Sequence, residues 1–202
     1  MRAALRMDIQ KYSARKSTEE PTNIPEPTAA LTADKKPATE IAAETNSRMY
    51  AILDFDNEEE LACARRGLIY APESLEIKDE AGNIIWSQEK YSFINEEELA
   101  PDTANPSLWR STQLNSIYGL FEVTDGIYQV RGYDMTNMTL VKGDTGWIVF
   151  DPMMSVECSA AAMQLVNEQL GEYPIKGIVI SHGHVDHYGA VVEDIYNFFH
   201  NY

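Results

Sequence analysis

The sequence predicts an α/β fold of the α+β sandwich type, in which a β-meander is followed by a β-α-β unit. Two observations support this fold class. Four short strand-like segments between residues 120 and 150 are separated by turns that contain glycine. A helix-like segment, residues 155–170, is then followed by a β-branched apolar run over residues 175–181.

The first half of the chain predicts helices and a hairpin ahead of this sheet. Residues 38–66 repeat apolar side chains at roughly helical spacing, and Gly67 stands where the C-cap of a helix belongs. Residues 74–78 alternate in polarity, a turn with glycine follows, and residues 84–86 return as the second strand of a hairpin. The pair Asn105-Pro106 then opens a short helix that continues to Leu114.

The second half gives the clearer pattern. The predicted strands cover residues 120–123, 127–131, 138–142 and 147–150, with turns at Asp125-Gly126 and Gly143-Asp144. Along the helix, Ala162, Met163, Val166 and Leu170 share one face, and Gly171 ends it. Because a strand parallel to its neighbour is normally covered on both sides, residues 175–181 are expected to be buried on both faces.

Three segments follow from composition. Residues 1–37 carry seven basic and five acidic side chains, four prolines and no glycine, which predicts a mostly disordered tail with few tertiary contacts. Residues 38–118 form the helix-hairpin extension. Residues 119–202 form the sheet domain.

Charge and apolar content exclude several classes of protein. The 202 residues carry a formal charge of −16, and residues 38–202 alone carry −18, which argues against binding to a nucleic-acid backbone. No apolar run reaches the length of a transmembrane helix, and the N-terminus lacks a secretory signal. The chain as written therefore reads as cytoplasmic, with periplasmic or secreted placement left open if its start is misassigned. Cys63 and Cys158 form no disulfide framework, and each is expected to be a small buried apolar side chain.

A histidine cluster follows the last predicted strand, in the pattern H-x-H-x-D-H from His182 to His187. His182 and His184, two residues apart, can direct two imidazoles at one cation, and Asp186 with His187 can serve a second cation close by. Imidazole and carboxylate ligands suit zinc or another divalent transition ion. Two such ions make a hydrolytic centre with a bridging water. Three histidines in this register are improbable in an ordinary solvent loop, whereas His200 has no partner spacing and is not assigned to the site.

The motif resembles that of the metallo-β-lactamase fold, a four-layer αββα sandwich of which this chain would supply the first part. Longer stretches resemble the alkyl sulfatases of that superfamily, which are zinc-dependent enzymes that hydrolyse long-chain alkyl sulfate esters such as dodecyl sulfate. These stretches are ARRG at 64–67, APDTANPSLWR at 100–110, GLFEVTDGIYQVRGYD at 119–134 and GDTGWIVFDP at 143–152. The resemblance runs from about residue 38 to about residue 189.

This resemblance implies roles for the motif. His182 and His184 would bind the first zinc ion, and Asp186 and His187 the second. Asp186 would also hold the bridging water and is the one catalytic residue predicted. The family's remaining ligands, its sulfate-binding groups and its homodimerisation domain lie further along longer chains. The substrate implied is a small-molecule alkyl sulfate, with no nucleic acid involved.

The short chain leaves two classes of function open. It ends 15 residues after His187, which indicates a truncated form whose activity alone is expected to be low or absent. One alternative is another hydrolase of the same fold, such as a lactonase or a thioester hydrolase; the other is a non-catalytic homologue that binds metal weakly. Residues 191–202 are expected to be helical and to add no ligand to the histidine cluster.

Overall fold

A computed structural model describes residues 36–55, 57–96 and 98–191 of the chain. The prediction for the tail, residues 1–37, falls outside these residues apart from 36 and 37, and the prediction for residues 191–202 falls outside them apart from Val191. The described part contains a six-stranded sheet with strand order β1-β4-β5-β6-β7-β8 and a separate two-stranded sheet, β2-β3. The strands are β1 (Leu68–Tyr70), β2 (Glu76–Lys78), β3 (Ile84–Ser87), β4 (Gly119–Thr124), β5 (Ile127–Arg131), β6 (Met138–Lys142), β7 (Trp147–Phe150) and β8 (Ile175–Val179). The helices are α1 (Glu40–Met49), α2 (Glu58–Arg65), α3 (Pro106–Asn115) and α4 (Val156–Leu170).

The predicted elements form for the local reasons that the sequence indicates. Thr39, Asn57, Asn105 and Ser155 each cap one helix, because each side chain accepts a hydrogen bond from a backbone N–H of the first turn. Gly171 ends α4 with a positive φ of 85°. The meander β4–β7 is antiparallel throughout, and β7 pairs with β8 in parallel across α4, as a β-α-β unit requires.

Strand β1 was not predicted. It pairs antiparallel with β4 at the edge of the large sheet, and all three of its residues are exposed. Gly67, directly before it, has a φ of +76°, and a Cβ there would collide with the carbonyl oxygen of Glu122. Gly67 therefore serves the close approach of β1 to β4 as well as the end of α2.

The core lies between α4 and one face of the large sheet, called here the helix-covered face. Trp147 lies at its centre, with Tyr128 and Tyr173 edge-on at ring-centroid distances of 5.6 and 5.7 Å. The helix contributes the residues predicted for it, of which Ala162 and Val166 are fully buried and Met163 is nearly so. The sheet contributes Leu120, Val130, Met138, Leu140, Trp147, Val149 and Ile175.

The opposite face of the sheet, called here the open face, is covered at β4, where Phe121 is fully buried and the guanidinium of Arg131 lies over its ring. Among the described residues it is exposed at β7 and β8. Ile148 on β7 is 38% exposed and Val179 on β8 is 40% exposed. The expectation that β8 is buried on both faces is therefore wrong, because only its first residue, Ile175, is buried. A single helix layer covers one side of a sheet and leaves the alternate side chains in solvent.

The two cysteines differ. Cys158, in the first turn of α4, is buried, and this burial raises the pKa of its thiol to about 12. Cys63 is exposed on α2, which corrects the expectation that both are buried. Among the described helices, none has the length and apolar content to cross a membrane.

Candidate metal centre

The predicted ligands lie at the carboxyl end of β8, beside the carboxyl end of β7. The two strands are parallel, so the residues that follow them meet at one edge of the sheet. His182 and His184 lie in the loop after β8, and Val185–His187 form one turn of 3-10 helix. The expectation that the motif begins just past the last strand is confirmed.

The three imidazoles of the motif are in contact. Nε2 of His182 lies 3.0 Å from Nδ1 of His184, and the ring centroids of His182 and His187 are 4.0 Å apart. Asp186 is placed less centrally, since its Oδ2 lies 3.5 Å from Nε2 of His187. The contacts join all three imidazoles, since His182 contacts both His184 and His187, and Asp186 contacts only the ring of His187. The division of the motif into two ligand pairs stays a prediction. His182 and His184 are exposed, whereas the other two side chains are half-buried.

Asp151, which sequence reasoning did not assign to the site, anchors this loop. It directly follows β7, and its Oδ1 accepts the backbone N–H of Ser181 at 2.7 Å. Its Oδ2 lies 2.7 Å from the hydroxyl oxygen of Ser181 and 2.9 Å from Nδ1 of His187. One feature of the sequence could have indicated Asp151. It is an aspartate directly after an apolar strand, and that strand is the parallel neighbour of the strand before the motif.

The Asp151 carboxylate is held in its charged form by these contacts. Burial raises the pKa of Asp151. Hydrogen bonds from the Ser181 backbone, the His187 ring and the Ser181 hydroxyl lower the pKa, and together they outweigh the effect of burial. The net pKa lies below the ordinary value. At neutral pH the group is therefore an acceptor only, directed at the base of the histidine loop.

The loop between β5 and β6 makes hydrogen bonds to the histidine loop and to the segment that leads into α4. The hydroxyl of Thr136 donates to the backbone carbonyl of Asp186 at 2.6 Å. The carboxylate of Asp134, only 8% exposed, accepts the backbone N–H groups of Met135, Met154 and Ser155 at 2.6, 2.9 and 3.2 Å. The start of α4 and the histidine loop are thus both hydrogen-bonded to the β5–β6 loop. The sequence did not predict this role for Asp134 and Thr136.

The donor set fits a divalent transition metal in its chemistry, because imidazole and carboxylate groups converge at one edge. Two nitrogen ligands of one tetrahedral zinc ion lie about 3.3 Å apart, given zinc–nitrogen distances of about 2.0–2.1 Å. The 3.0 Å between Nε2 of His182 and Nδ1 of His184 is within a few tenths of this spacing. Among the described residues, no group of three or more histidine, cysteine, aspartate or glutamate side chains is arranged to hold a metal ion. The described residues therefore supply pairs of donor groups that suit a metal ion, but no group of three.

Comparison with known proteins finds one matching family profile and several relatives of this chain. The profile of the metallo-β-lactamase superfamily matches residues 131–193, which include the motif. A linear primary-alkylsulfatase from Pseudomonas sp. is 48% identical over 156 residues, covering 77% of this chain and 23% of the relative. An (R)-specific secondary-alkylsulfatase from Pseudomonas sp. is 44% identical over 162 residues, covering 80% and 24%. An alkyl/aryl-sulfatase from Saccharomyces cerevisiae is 37% identical over 139 residues, covering 69% and 21%.

A solved structure agrees with the sequence matches. The stereoselective inverting sec-alkylsulfatase Pisa1 from Pseudomonas sp. superposes with a TM-score of 0.72 at 44% identity. The match covers 78% of this chain and 25% of that chain. The chain thus spans about a quarter of the length of the curated relatives that it matches.

Proposed function

We propose that this chain, which belongs to the metallo-β-lactamase superfamily and is related to its alkylsulfatases, forms part of the catalytic site of a zinc-dependent alkyl sulfate ester hydrolase. The superfamily uses divalent metal ions, and zinc is the ion proposed here. The observation that carries the proposal is the pair His182 and His184, whose nitrogens converge to 3.0 Å at the carboxyl edge of the sheet. Two relatives are named alkylsulfatases, and this supports alkyl sulfates as the proposed substrate class.

In this proposal the motif residues divide between two zinc ions. His182 and His184 hold the first ion, and Asp186 and His187 hold the second. Bound zinc would act as a Lewis acid and lower the pKa of a bound water to about 7. With two protein donors each, both ions need at least one further protein ligand to match the usual catalytic set of three.

Asp186 is the proposed catalytic residue. Its side chain lies next to Nε2 of His187, and its backbone is fixed by the hydroxyl of Thr136. The carboxylate would accept a hydrogen bond from the attacking water and orient it. Hydrolysis then adds water across the ester linkage and gives an alcohol and hydrogen sulfate.

The family resemblance further implies a homodimer, which is part of this proposal. A second candidate function is metal binding without catalysis by this chain alone. The observation that favours it is the absence of a three-donor group among residues 36–55, 57–96 and 98–191. The two candidates differ only in whether further ligands are supplied.

A chimeric enzyme tests the proposal. The matched segment of the Pseudomonas linear primary-alkylsulfatase is replaced by the matching part of this chain, and release of dodecanol from dodecyl sulfate is measured. We expect hydrolysis of dodecyl sulfate, and its loss in a His184→Ala chimera that still folds. A folded chimera that cleaves a lactone or a thioester but no alkyl sulfate would instead support the other hydrolases of this fold.

The 202-residue chain alone provides the complementary test. With excess zinc we expect bound metal that His184→Ala reduces, together with little or no dodecanol, because each ion lacks a ligand. Turnover that disappears in the His184→Ala variant would show that two donors per ion suffice and would overturn the ligand argument.

A further inference from the structure

Ser181 occupies a position between one carboxylate and two imidazoles. Its hydroxyl oxygen lies 2.7 Å from Oδ2 of Asp151, 2.9 Å from Nδ1 of His182 and 3.4 Å from Nδ1 of His187. The backbone N–H of Ser181 also donates to Oδ1 of Asp151. The hydroxyl is therefore held on its carboxylate by two bonds from the same residue, and its remaining contacts are with the site histidines.

The proton positions follow from what each group can do. An ionised carboxylate only accepts hydrogen bonds, so the single hydroxyl proton of Ser181 is directed at Asp151. The hydroxyl oxygen then has only lone pairs to offer to Nδ1 of His182, so that nitrogen must carry a hydrogen. His187 reaches the same state without a relay, because its Nδ1 lies 2.9 Å from Oδ2 of Asp151. One carboxylate thus orders two imidazoles, one directly and one through Ser181.

The alternative proton position on His182 would oppose metal binding. With hydrogen on Nε2, His182 would donate to Nδ1 of His184, which lies 3.0 Å away. The two nitrogens that converge on one ion would then be joined by a hydrogen bond to each other. With hydrogen on Nδ1, the lone pair of Nε2 points at the shared position. The two tautomers of His182 therefore correspond to a closed and an open pair of donors.

We propose that Ser181 is a positioning residue whose hydroxyl relays the charge of Asp151 to His182, selects the Nδ1–H tautomer and leaves Nε2 free for a divalent metal ion. This inference rests on the proposed function, because it concerns the same metal site. It extends that proposal to a residue outside the motif, the hydroxyl of Ser181. Partners that fix the tautomer of a ligand histidine typically change metal affinity by about 10–100-fold when removed.

The test compares Ser181→Ala, which removes the hydroxyl, with Ser181→Thr, which retains it. Ser74→Ala, an exposed serine before β2, is the matched control. The tautomer of His182 is read by nitrogen-15 and carbon-13 NMR of the metal-free chain, at a pH about two units above the ordinary imidazole pKa near 6.5. Zinc affinity is measured by competition with a chromophoric chelator, and folding is followed by circular dichroism.

We expect the Nδ1–H tautomer in the wild-type chain, in Ser181→Thr and in Ser74→Ala. In Ser181→Ala we expect a shift toward Nε2–H and a zinc affinity lower by about 10–100-fold. An unchanged tautomer or an unchanged affinity in folded Ser181→Ala would overturn the inference. Should that variant not fold, an Nε2–H tautomer of His182 in the wild-type chain is sufficient to overturn it.

The same measurements separate this inference from the proposed function. A wild-type chain that binds no zinc, yet shows the Nδ1–H tautomer, contradicts the proposed metal site but supports the relay from Asp151 to His182. A wild-type chain whose zinc binding is lost in His184→Ala but is indifferent to Ser181→Ala supports the metal site and refutes the role of Ser181.

Discussion

The helix-covered face and the open face of the large sheet alternate along the same strands but have different surroundings. Leu140 on β6 and Val149 on β7 point toward α4 and are 0% and 1% exposed. Their neighbours on the opposite face include Ile148, which is 38% exposed, and Val179, which is 40% exposed. Ile148 and Val179 are as apolar as Leu140 and Val149, so the difference at β7 and β8 arises from what covers each face. At β4 the open face is covered, since Phe121 is fully buried there. In the described residues of β7 and β8, stability is therefore concentrated on one side of the sheet.

The largest expected effect comes from a matched pair of truncations across the two faces. Leu140→Ala removes a fully buried side chain and should lower the free energy of unfolding by about 2–5 kcal/mol. Ile148→Ala removes the same number of carbon atoms from the open face and should cost about 1 kcal/mol or less. Chemical denaturation followed by circular dichroism measures both. Equal losses would show that the open face is covered in solution.

A smaller effect is expected at the edge where both faces end, at Asp151. Because its pKa is lower in the folded chain than in the unfolded chain, its charged form stabilises the fold above pH about 4, the ordinary aspartate value. This stabilisation is lost as the pH falls through the folded pKa.

Asp151→Asn should therefore reduce stability near neutral pH by about 1–2 kcal/mol, with less of the acid-induced loss that the wild-type chain shows. Unfolding free energies measured at several pH values test this. Parallel pH profiles for the two proteins would contradict the assigned role of the carboxylate.

The smallest change in stability is expected from a charge placed on the open face. Val179→Lys should change the free energy of unfolding by about 0.5 kcal/mol or less, because the side chain is already substantially exposed. It should nevertheless reduce self-association, since exposed apolar patches promote contact between molecules. Sedimentation velocity at several concentrations measures this, with Leu108→Lys on α3 as a control outside the sheet. Equal effects of both variants would remove the open face as the cause.

The contrast between the faces also explains which features the sequence could predict. The meander, α4 and the histidine motif were predicted because their signals lie within a few consecutive residues: alternation, one helical face, or a spacing such as that of His182 and His184. The prediction that β8 is buried on both faces was wrong. Burial of its second face would need another layer packed on the sheet, and the residues of β8 itself carry no signal for such a layer. Strand β1 was missed for a similar reason, since its three exposed residues become a strand only by pairing with β4.

The same distinction holds within the site. The proposed ligands lie within six consecutive residues, from His182 to His187, so their spacing alone suggested a metal site. Asp151 and Ser181 are 30 residues apart and meet only because β7 and β8 are parallel neighbours. Asp134 and Thr136 act from a third loop, through hydrogen bonds to backbone groups. Residues that contact the motif from other elements therefore cannot be found from sequence spacing, whereas the motif itself can.

The bond from Thr136 to Asp186 has a consequence for how such a site can diversify. The hydroxyl contacts the backbone carbonyl of residue 186, a group that every amino acid possesses, and does not contact the carboxylate. The loop can therefore keep its course while the side chain at this position changes. A lineage that exchanged this aspartate for another side chain would alter the proposed metal site without rebuilding the scaffold. Placement and reactivity are inherited separately at this position, which allows one fold to host many reactions.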